Sequence, residues 1–401
     1  MGQQGEMDDA DLMPPPPAVR PPTMSGDATT TVRPVGPPPP LGAGVGVAAT
    51  LAPWLRDARG MGGPLAAGGL FAGRGIGAGP PTASSGATTS FEFDRRADDA
   101  GTFVEPTKQI TTEGDVATFL ASSSCRDLEA FLKFLCDKVV GVKVSDVMDR
   151  SPTVESLVRI IRTLSGYADE IPPAAHTLRY GNPAYRDWHQ RMSDGADALV
   201  ASLLPEAMRA AAIELVPYLQ DSFGNRIRID YGTGHETNFL LFIYCLAKQG
   251  LLTADDARAL VLVVFKAYLD LMRKIQLRYG LEPAGSRGCW GLDDYQILPF
   301  IFGSAQLIGH PVVKPKSIHN PDFVEAMGDD YLYFSCVRFV LEFKKGPIAE
   351  TSPMLNDISA VGRWAKVHSG MLKMYHGEVL SKFPIVQHMR FGTLFPWVAG
   401  G

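Results

Sequence analysis

Proline and glycine are distributed so unevenly that they divide this chain before any other pattern is considered. The first 90 residues hold 15 Pro and 17 Gly, and the remaining residues hold only 16 and 24, an ordinary share for a globular protein. The leading segment is also poor in large apolar side chains, so it cannot bury enough surface to offset the entropy of ordering it. Residues 1–100 are therefore expected to form a disordered extension. Residues 101–401 are expected to carry the fold, with length enough for one elaborate domain or two lobes. Pro14 to Pro17 and Pro37 to Pro40 form short polyproline runs. They suit a solvated tail or, alternatively, docking to an SH3- or WW-type partner.

Charge and cysteine usage exclude several classes. The chain has 38 Lys+Arg against 43 Asp+Glu, without the concentrated basic face that a nucleic-acid binder needs. Cys125, Cys136, Cys245, Cys289 and Cys336 include no C-x-x-C pair. That argues against a disulfide scaffold or zinc ribbon and for a reducing compartment. The most apolar run, Ala259 to Phe265, stops at Lys266, far short of a membrane span. Glu6, Asp8, Asp9 and Asp11 stand where the basic residues of a leader would be. The expected address is the cytosol, with or without the nucleus.

From about residue 113 the pattern is helical. Leu128, Phe131, Leu132, Leu135, Cys136 and Val139 recur on one face of a 3.6-residue period. Ser124 with Asp127 has the form of a capping box, and so does Thr253 with Asp256. Ser151-Pro152 reads as a cap followed by a first-turn proline. Further helices are expected near 184–204, 206–220, 235–249, 254–279, 293–308, 329–345 and 362–382. Gly250, Gly280 and Gly346 fall at their C-terminal ends. Arg226 to Asp230 is the best strand and is short. The fold class is all-α.

Four glycine- or proline-bearing segments interrupt this helical pattern, which is where sites tend to be built. They run over 180–186, 228–236, 282–294 and 383–388. In the second, Gly232 and Gly234 allow close backbone approach. A helix starting near His235 would aim its amides at an anion, with Arg228 adding a fixed charge. A tight turn opening a helix is the plainer alternative, because no G-K-[ST] is present. His235-Glu236 is not a zinc-protease motif, since Phe239 stands where the second histidine should be. A buried or capping role suits His235 better. Asp293 and Asp294 offer oxygen ligands to Mg²⁺, or simply cap the next helix.

Read in order, these segments resemble the phosphotyrosyl phosphatase activator family. The resemblance rests on Gly181-Asn182 with Ala184-Tyr185-Arg186, Arg228 to Glu236, Glu282 to Ser286 with Gly288 and Trp290 to Asp294, Leu298 to Leu307, and Phe383-Pro384 with Gln387-His388. It covers about 104–397 and leaves the extension outside. It implies an all-helical fold with core, linker and lid parts around a deep cleft. It implies ATP bound with Mg²⁺ and engagement of the catalytic subunit of protein phosphatase 2A or a related phosphatase, with no membrane or nucleic-acid partner. Carried over by position, Arg228, Thr233 and Gly234 would contact ATP, and Pro384, Ile385, Val386, Gln387 and His388 would complete its pocket. Gly288, through its carbonyl, and Asp294 would hold Mg²⁺. The family also implies peptidyl-prolyl cis/trans isomerase activity on a proline-containing segment. That chemistry twists an amide and needs no nucleophile, so no catalytic residue is assigned. Glu282, Trp290 and Asp294 would line the peptide groove or serve structure alone.

Overall fold

The computed structural model describes residues 102–175, 181–285 and 291–397. All of them lie in one of the two compact units into which the chain divides, Leu51–Gly401; the other, Met1–Thr50, lies outside the described residues. So do the disordered extension and polyproline runs expected above, together with Gly288 and Trp290.

The described chain is all-α apart from four two-residue strands. β1 is Thr107–Lys108, followed by α1 (Glu113–Ala121), α2 (Ser123–Lys138), α3 (Pro152–Glu170), α4 (Ala184–Ala201) and α5 (Ala212–Gln220). β2 (Asp230–Tyr231) leads into α6 (Thr233–Lys248). α7 is a continuous rod of Ala257–Ala259, a π-helical Leu260–Phe265 and Lys266–Tyr279. β3 (Glu282–Pro283) precedes α8 (Leu298–Gln306), α9 (Pro321–Met327) and α10 (Leu332–Phe343). The chain closes with α11 (Ile348–Thr351), α12 (Pro353–Ser359), α13 (Trp364–Tyr375), α14 (Phe383–Val386) and β4 (Arg390–Phe391).

Local signals set many of these boundaries. Ser151 Oγ accepts from the Val154 amide and Pro152 opens α3. The Thr253–Asp256 capping box forms as expected, and Gly280 ends α7 in the left-handed conformation that glycine alone adopts without cost. Three expectations are corrected. The cap of α2 is Ser122, not Ser124, whose hydroxyl instead donates to the Pro396 carbonyl. Arg226 to Ile229 form a turn, and only Asp230–Tyr231 is strand. α8 starts at Leu298, so Asp293 and Asp294 precede it.

α6 is apolar on nearly every face and runs through the centre of the core, packed on α2 and α5. α8 is buried along its whole length against α2, α10 and α13. Gly303 permits that packing: a Cβ there would lie 2.0 Å from the Tyr333 amide nitrogen. Beneath the start of α6 sits a floor of buried aromatics. Phe239 stacks on Tyr268 at 3.9 Å between ring centroids, and the Tyr268 hydroxyl donates to the Ser222 carbonyl at 2.7 Å. Burying each ring stabilises the fold by about 1.5–3 kcal/mol, provided its polar atom finds a partner.

Candidate functional site

The four segments separated in sequence meet at the N-terminus of α6. Tyr185 donates its hydroxyl to the Phe223 carbonyl at 2.7 Å, and Arg186 donates to Ile227 O at 3.3 Å. These bonds fasten the first segment to the chain leading into the second, and a Cβ on Gly181 would lie 2.6 Å from Ile229 Cγ2 of the second itself. The second joins the third through β2 and β3, which pair in parallel with Asp230 opposite Glu282 and Tyr231 opposite Pro283. The Ala284 amide extends the pairing by donating to Tyr231 O at 2.8 Å. Two further glycines hold close approaches. A Cβ on Gly232 would lie 2.9 Å from the Ala284 carbonyl oxygen, and one on Gly234 would lie 3.2 Å from Ile385 Cγ2. The second contact brings in the fourth segment, since Ile385 lies in α14. Ile229, in the turn before β2, takes φ 55°, a left-handed conformation costly for a β-branched residue.

The helix end thus framed is electropositive. Gly232, the N-cap of α6, provides no side-chain acceptor, so the cap leaves the Thr233 and Gly234 amides and the positive end of the dipole unanswered, while the His235 amide donates to the Gly232 carbonyl at 2.9 Å. Arg228 is half exposed and pairs through Nε with Asp230 Oδ2 at 2.5 Å. His235 Nδ1 donates to the Asp221 carbonyl at 2.7 Å, which leaves Nε2 4.0 Å from Asp230 Oδ1. Burial holds its imidazole below the usual histidine range. His388 is lowered as well, first by burial and then by electrostatic interaction with Lys108, Arg228 and His235. Lys108, on β1, adds a further positive charge beside His388, whereas Arg390, its partner on β4, is paired through Nε with Asp221 Oδ2 at 2.7 Å. An anion of phosphate type suits such a surface.

A second corner lies beyond β3. Asp293 Oδ1 accepts the amides of Tyr295 and Gln296 at 2.8 Å each, closing a turn before α8. Burial raises its carboxyl above the ordinary range. α8 is capped by neither aspartate. Glu236, in the first turn of α6, sends its buried Oε2 to the amides of Ile297 and Leu298 at 2.9 and 3.1 Å. Burial pushes this carboxyl up to about 8. Asp294 remains partly exposed, with Oδ2 3.5 Å from Lys344 Nζ. Among the described residues no three His, Cys, Asp or Glu side chains converge as a metal-binding group. A divalent ion at Asp294 would therefore share oxygens with water, main chain or a phosphate. Hard oxygen donors shared in this way fit Mg²⁺.

The structure brings Arg228, Thr233, Gly234, Ile385 and His388 to one rim. Pro384 is exposed, and Gln387 is partly buried. Val386 is fully buried, so its side chain belongs to the core. Asp294 sits at the neighbouring corner, whereas Gly288 lies outside the described residues. Sequence reading missed Lys108 and the capping role of Glu236. A carboxylate opening the apolar run Phe239 to Leu246 was the available signal for the latter, because such a group must find buried donors.

Comparison with known proteins adds the following. The family described as "Phosphotyrosyl phosphate activator (PTPA) protein" matches residues 106–397. A probable serine/threonine-protein phosphatase 2A activator 1 of Dictyostelium discoideum is 44% identical over 293 residues, covering 73% of this chain and 90% of that protein. A serine/threonine-protein phosphatase 2A activator 1 of Schizosaccharomyces pombe is 43% identical over 307 residues, covering 76% and 94%. The crystal structure of the PP2A phosphatase activator Ypa1 superposes with a TM-score of 0.72 at 35% identity, over 77% of this chain and 99% of that one.

Proposed function

The chain belongs to the phosphotyrosyl phosphatase activator family, and from that premise we propose that it activates and helps assemble protein phosphatase 2A-type catalytic subunits in a manner that depends on ATP and Mg²⁺. The observation that carries the nucleotide part is the open end of α6. It has an N-cap without a side-chain acceptor and two glycines at close approaches, and it stands among Arg228, Lys108 and His388.

In this reading the amides of Thr233 and Gly234 and the Arg228 guanidinium orient the phosphates, with charge-assisted bonds from Arg228 the strongest contributors. Asp230 keeps Arg228 in place through their ion pair. Ile385 and His388 bound the pocket from α14, and the neutral His388 imidazole can donate or accept without adding charge. Asp294, with the Gly288 carbonyl, would hold the magnesium ion, which neutralises phosphate charge when bound. The β2–β3 pairing ties the strand that leads into α6 to the start of the segment that carries Asp294. A cytosolic address, with or without the nucleus, accompanies this role.

Capture of the purified phosphatase catalytic subunit on the immobilised full chain tests the proposal. Capture should rise several-fold with Mg-ATP over EDTA, and an Asp294→Ala variant should lose that increment. Failure to capture under any condition would overturn the activator reading, and equal capture would remove the nucleotide from it. Prolyl isomerisation is proposed as a second activity of the same protein, at the surface between Glu282 and Asp294. These residues and Asp293 act on one phenol, raising the Tyr295 hydroxyl to about 12 after burial itself. A protease-coupled assay on a Xaa-Pro peptide decides this activity.

A further inference from the structure

The turn that delivers Arg228 to the site also holds an apolar side chain away from the core. Ile227 is 78% exposed, whereas Ile229 beside it is buried. The backbone between them is fixed from several sides. The Ile227 and Arg228 amides donate to Asn225 Oδ1 at 3.0 and 2.9 Å. The Ile229 amide donates to the Asn225 carbonyl, and the Asn225 amide to the Asp230 carbonyl, each at 2.8 Å. From α4, Arg186 Nη2 donates to the Ile227 carbonyl at 3.3 Å, and Arg226 Nε donates back to the Arg186 carbonyl at 3.3 Å. Ile229, left-handed at φ 55°, keeps its side chain inward and leaves that of Ile227 outside.

One exposed aliphatic residue is ordinary on a protein surface. This one is set apart by order, strain and charge together. Turn tips favour small polar residues, yet here a β-branched residue is held out rigidly. Its neighbour Ile229 sits in a costly conformation of the kind that persists where it serves a site. Arg186, Arg226 and Arg228 are exposed around it. Asp230 answers Arg228, whereas among the described residues Arg186 and Arg226 bond to main-chain carbonyls and pair with no carboxylate. A guanidinium has more N–H donors than these bonds use, and it grips carboxylates bidentately. An apolar knob that is already ordered loses little freedom on docking, so more of its burial is kept as affinity.

We propose that this turn is a docking knob for the phosphatase catalytic subunit, with Ile227 entering an apolar hollow and Arg186 and Arg226 meeting carboxylates on its rim. A second copy of this chain fits less well, because a symmetric contact would set the same arginines against one another. Arg228 belongs both to the turn and to the α6 rim. A partner seated on Ile227 therefore also reaches the edge of the nucleotide position. This inference rests on the activator reading above, and the test separates the two.

Affinity of the purified catalytic subunit for the immobilised full chain is measured in Mg-ATP for the wild type, Ile227→Leu, Ile227→Ser and Arg226→Gln. Ile227→Leu should bind nearly as the wild type does, since volume and apolarity are kept. Ile227→Ser should bind about ten- to a hundredfold more weakly, the scale of one buried aliphatic side chain. Arg226→Gln should bind a few-fold more weakly and with a shallower dependence on salt. The urea midpoint and nucleotide affinity of Ile227→Ser should match those of the wild type. Undiminished capture by Ile227→Ser would overturn the proposal and leave the activator reading standing. A parallel loss of stability or nucleotide affinity in that variant would make the turn structural and overturn the proposal as well. If the wild type captures no catalytic subunit, the activator reading falls and this inference with it. Sedimentation of the free chain addresses the other occupant: a wild-type dimer that Ile227→Ser separates, with capture unchanged, would assign the knob to self-association instead.

Discussion

Two helices of this protein begin a short distance apart, one closed and the other open. At α8 the amides of Ile297 and Leu298 are buried and both terminate on Glu236 Oε2. At α6 the N-cap is a glycine with no side-chain acceptor, and Thr233 and Gly234 are partly exposed. The closing carboxylate comes from the first turn of the open helix itself. Helix ends present the same orphan donors and the same positive dipole. The difference therefore lies in what the chain sets against them. Where the end is structural, a buried acidic side chain fills it. Where side chains are kept small by Ala284 and Ile385, it remains available to an external anion.

The strongest way to break this comparison is to empty the closed end. Glu236→Leu leaves two buried amides without an acceptor, each costing about 1–3 kcal/mol. Stability measured by urea denaturation at pH 6 should drop by roughly 2–5 kcal/mol. A loss below about 1 kcal/mol would mean that the α8 end is not held by this cap. The charge of that cap gives the next largest effect. With a folded-state value of about 8 against an ordinary value of 4.5, the native carboxyl keeps its proton between those pH values while the unfolded chain releases it. This contribution is full below pH 4.5 and is lost as pH rises towards 8. Glu236→Gln keeps an oxygen for the amides but does not titrate. The wild type should therefore lose stability relative to Glu236→Gln between pH 5 and 8, on the order of 2–3 kcal/mol. Parallel pH profiles would refute the assignment.

How much of this arrangement could be read from sequence follows from the range of the forces involved. Leu128, Phe131, Leu132, Leu135, Cys136 and Val139 are all buried, as their periodicity requires. Ser151-Pro152, Thr253–Asp256 and Gly280 act within a few residues of themselves, so their roles were visible. The α2 boundary shifted because Ser122 and Ser124 are both adequate caps locally; the remote Pro396 carbonyl claims Ser124. The turn at Arg226 to Ile229 was missed because hydrogen bonds from the Ile227 and Arg228 amides to Asn225 Oδ1 outweigh the β-preference of two isoleucines. Contacts such as Glu236 with Ile297, or Gly303 against Tyr333, bridge separations that no local pattern encodes. For the site, residue types and order pointed to the rim, but only the fold showed that Val386 faces inward while Lys108 joins the positive side. Glycines in the folded part likewise separate by placement: Gly303 serves helix packing, whereas Gly232 and Gly234 keep the α6 end clear.

The smallest effect sharpens the comparison from the open side. Arg228 is half exposed, and its partner Asp230 retains His235 Nε2 4.0 Å from its second oxygen. Asp230 is buried, so removing the guanidinium leaves its carboxylate short of a partner at a cost of about 1–3 kcal/mol. If the α6 end takes an anion, however, the guanidinium supplies one charge-assisted contact, worth about tenfold in affinity. Arg228→Ala should thus weaken nucleotide binding about tenfold in equilibrium titration and reduce its dependence on salt, with a smaller fall in stability than Glu236→Leu causes. This is the inverse of Glu236→Leu, which strikes stability first. If Arg228→Ala instead unfolds the protein as readily as the Glu236 variant, both helix ends are structural, and the distinction between closed and open ends disappears.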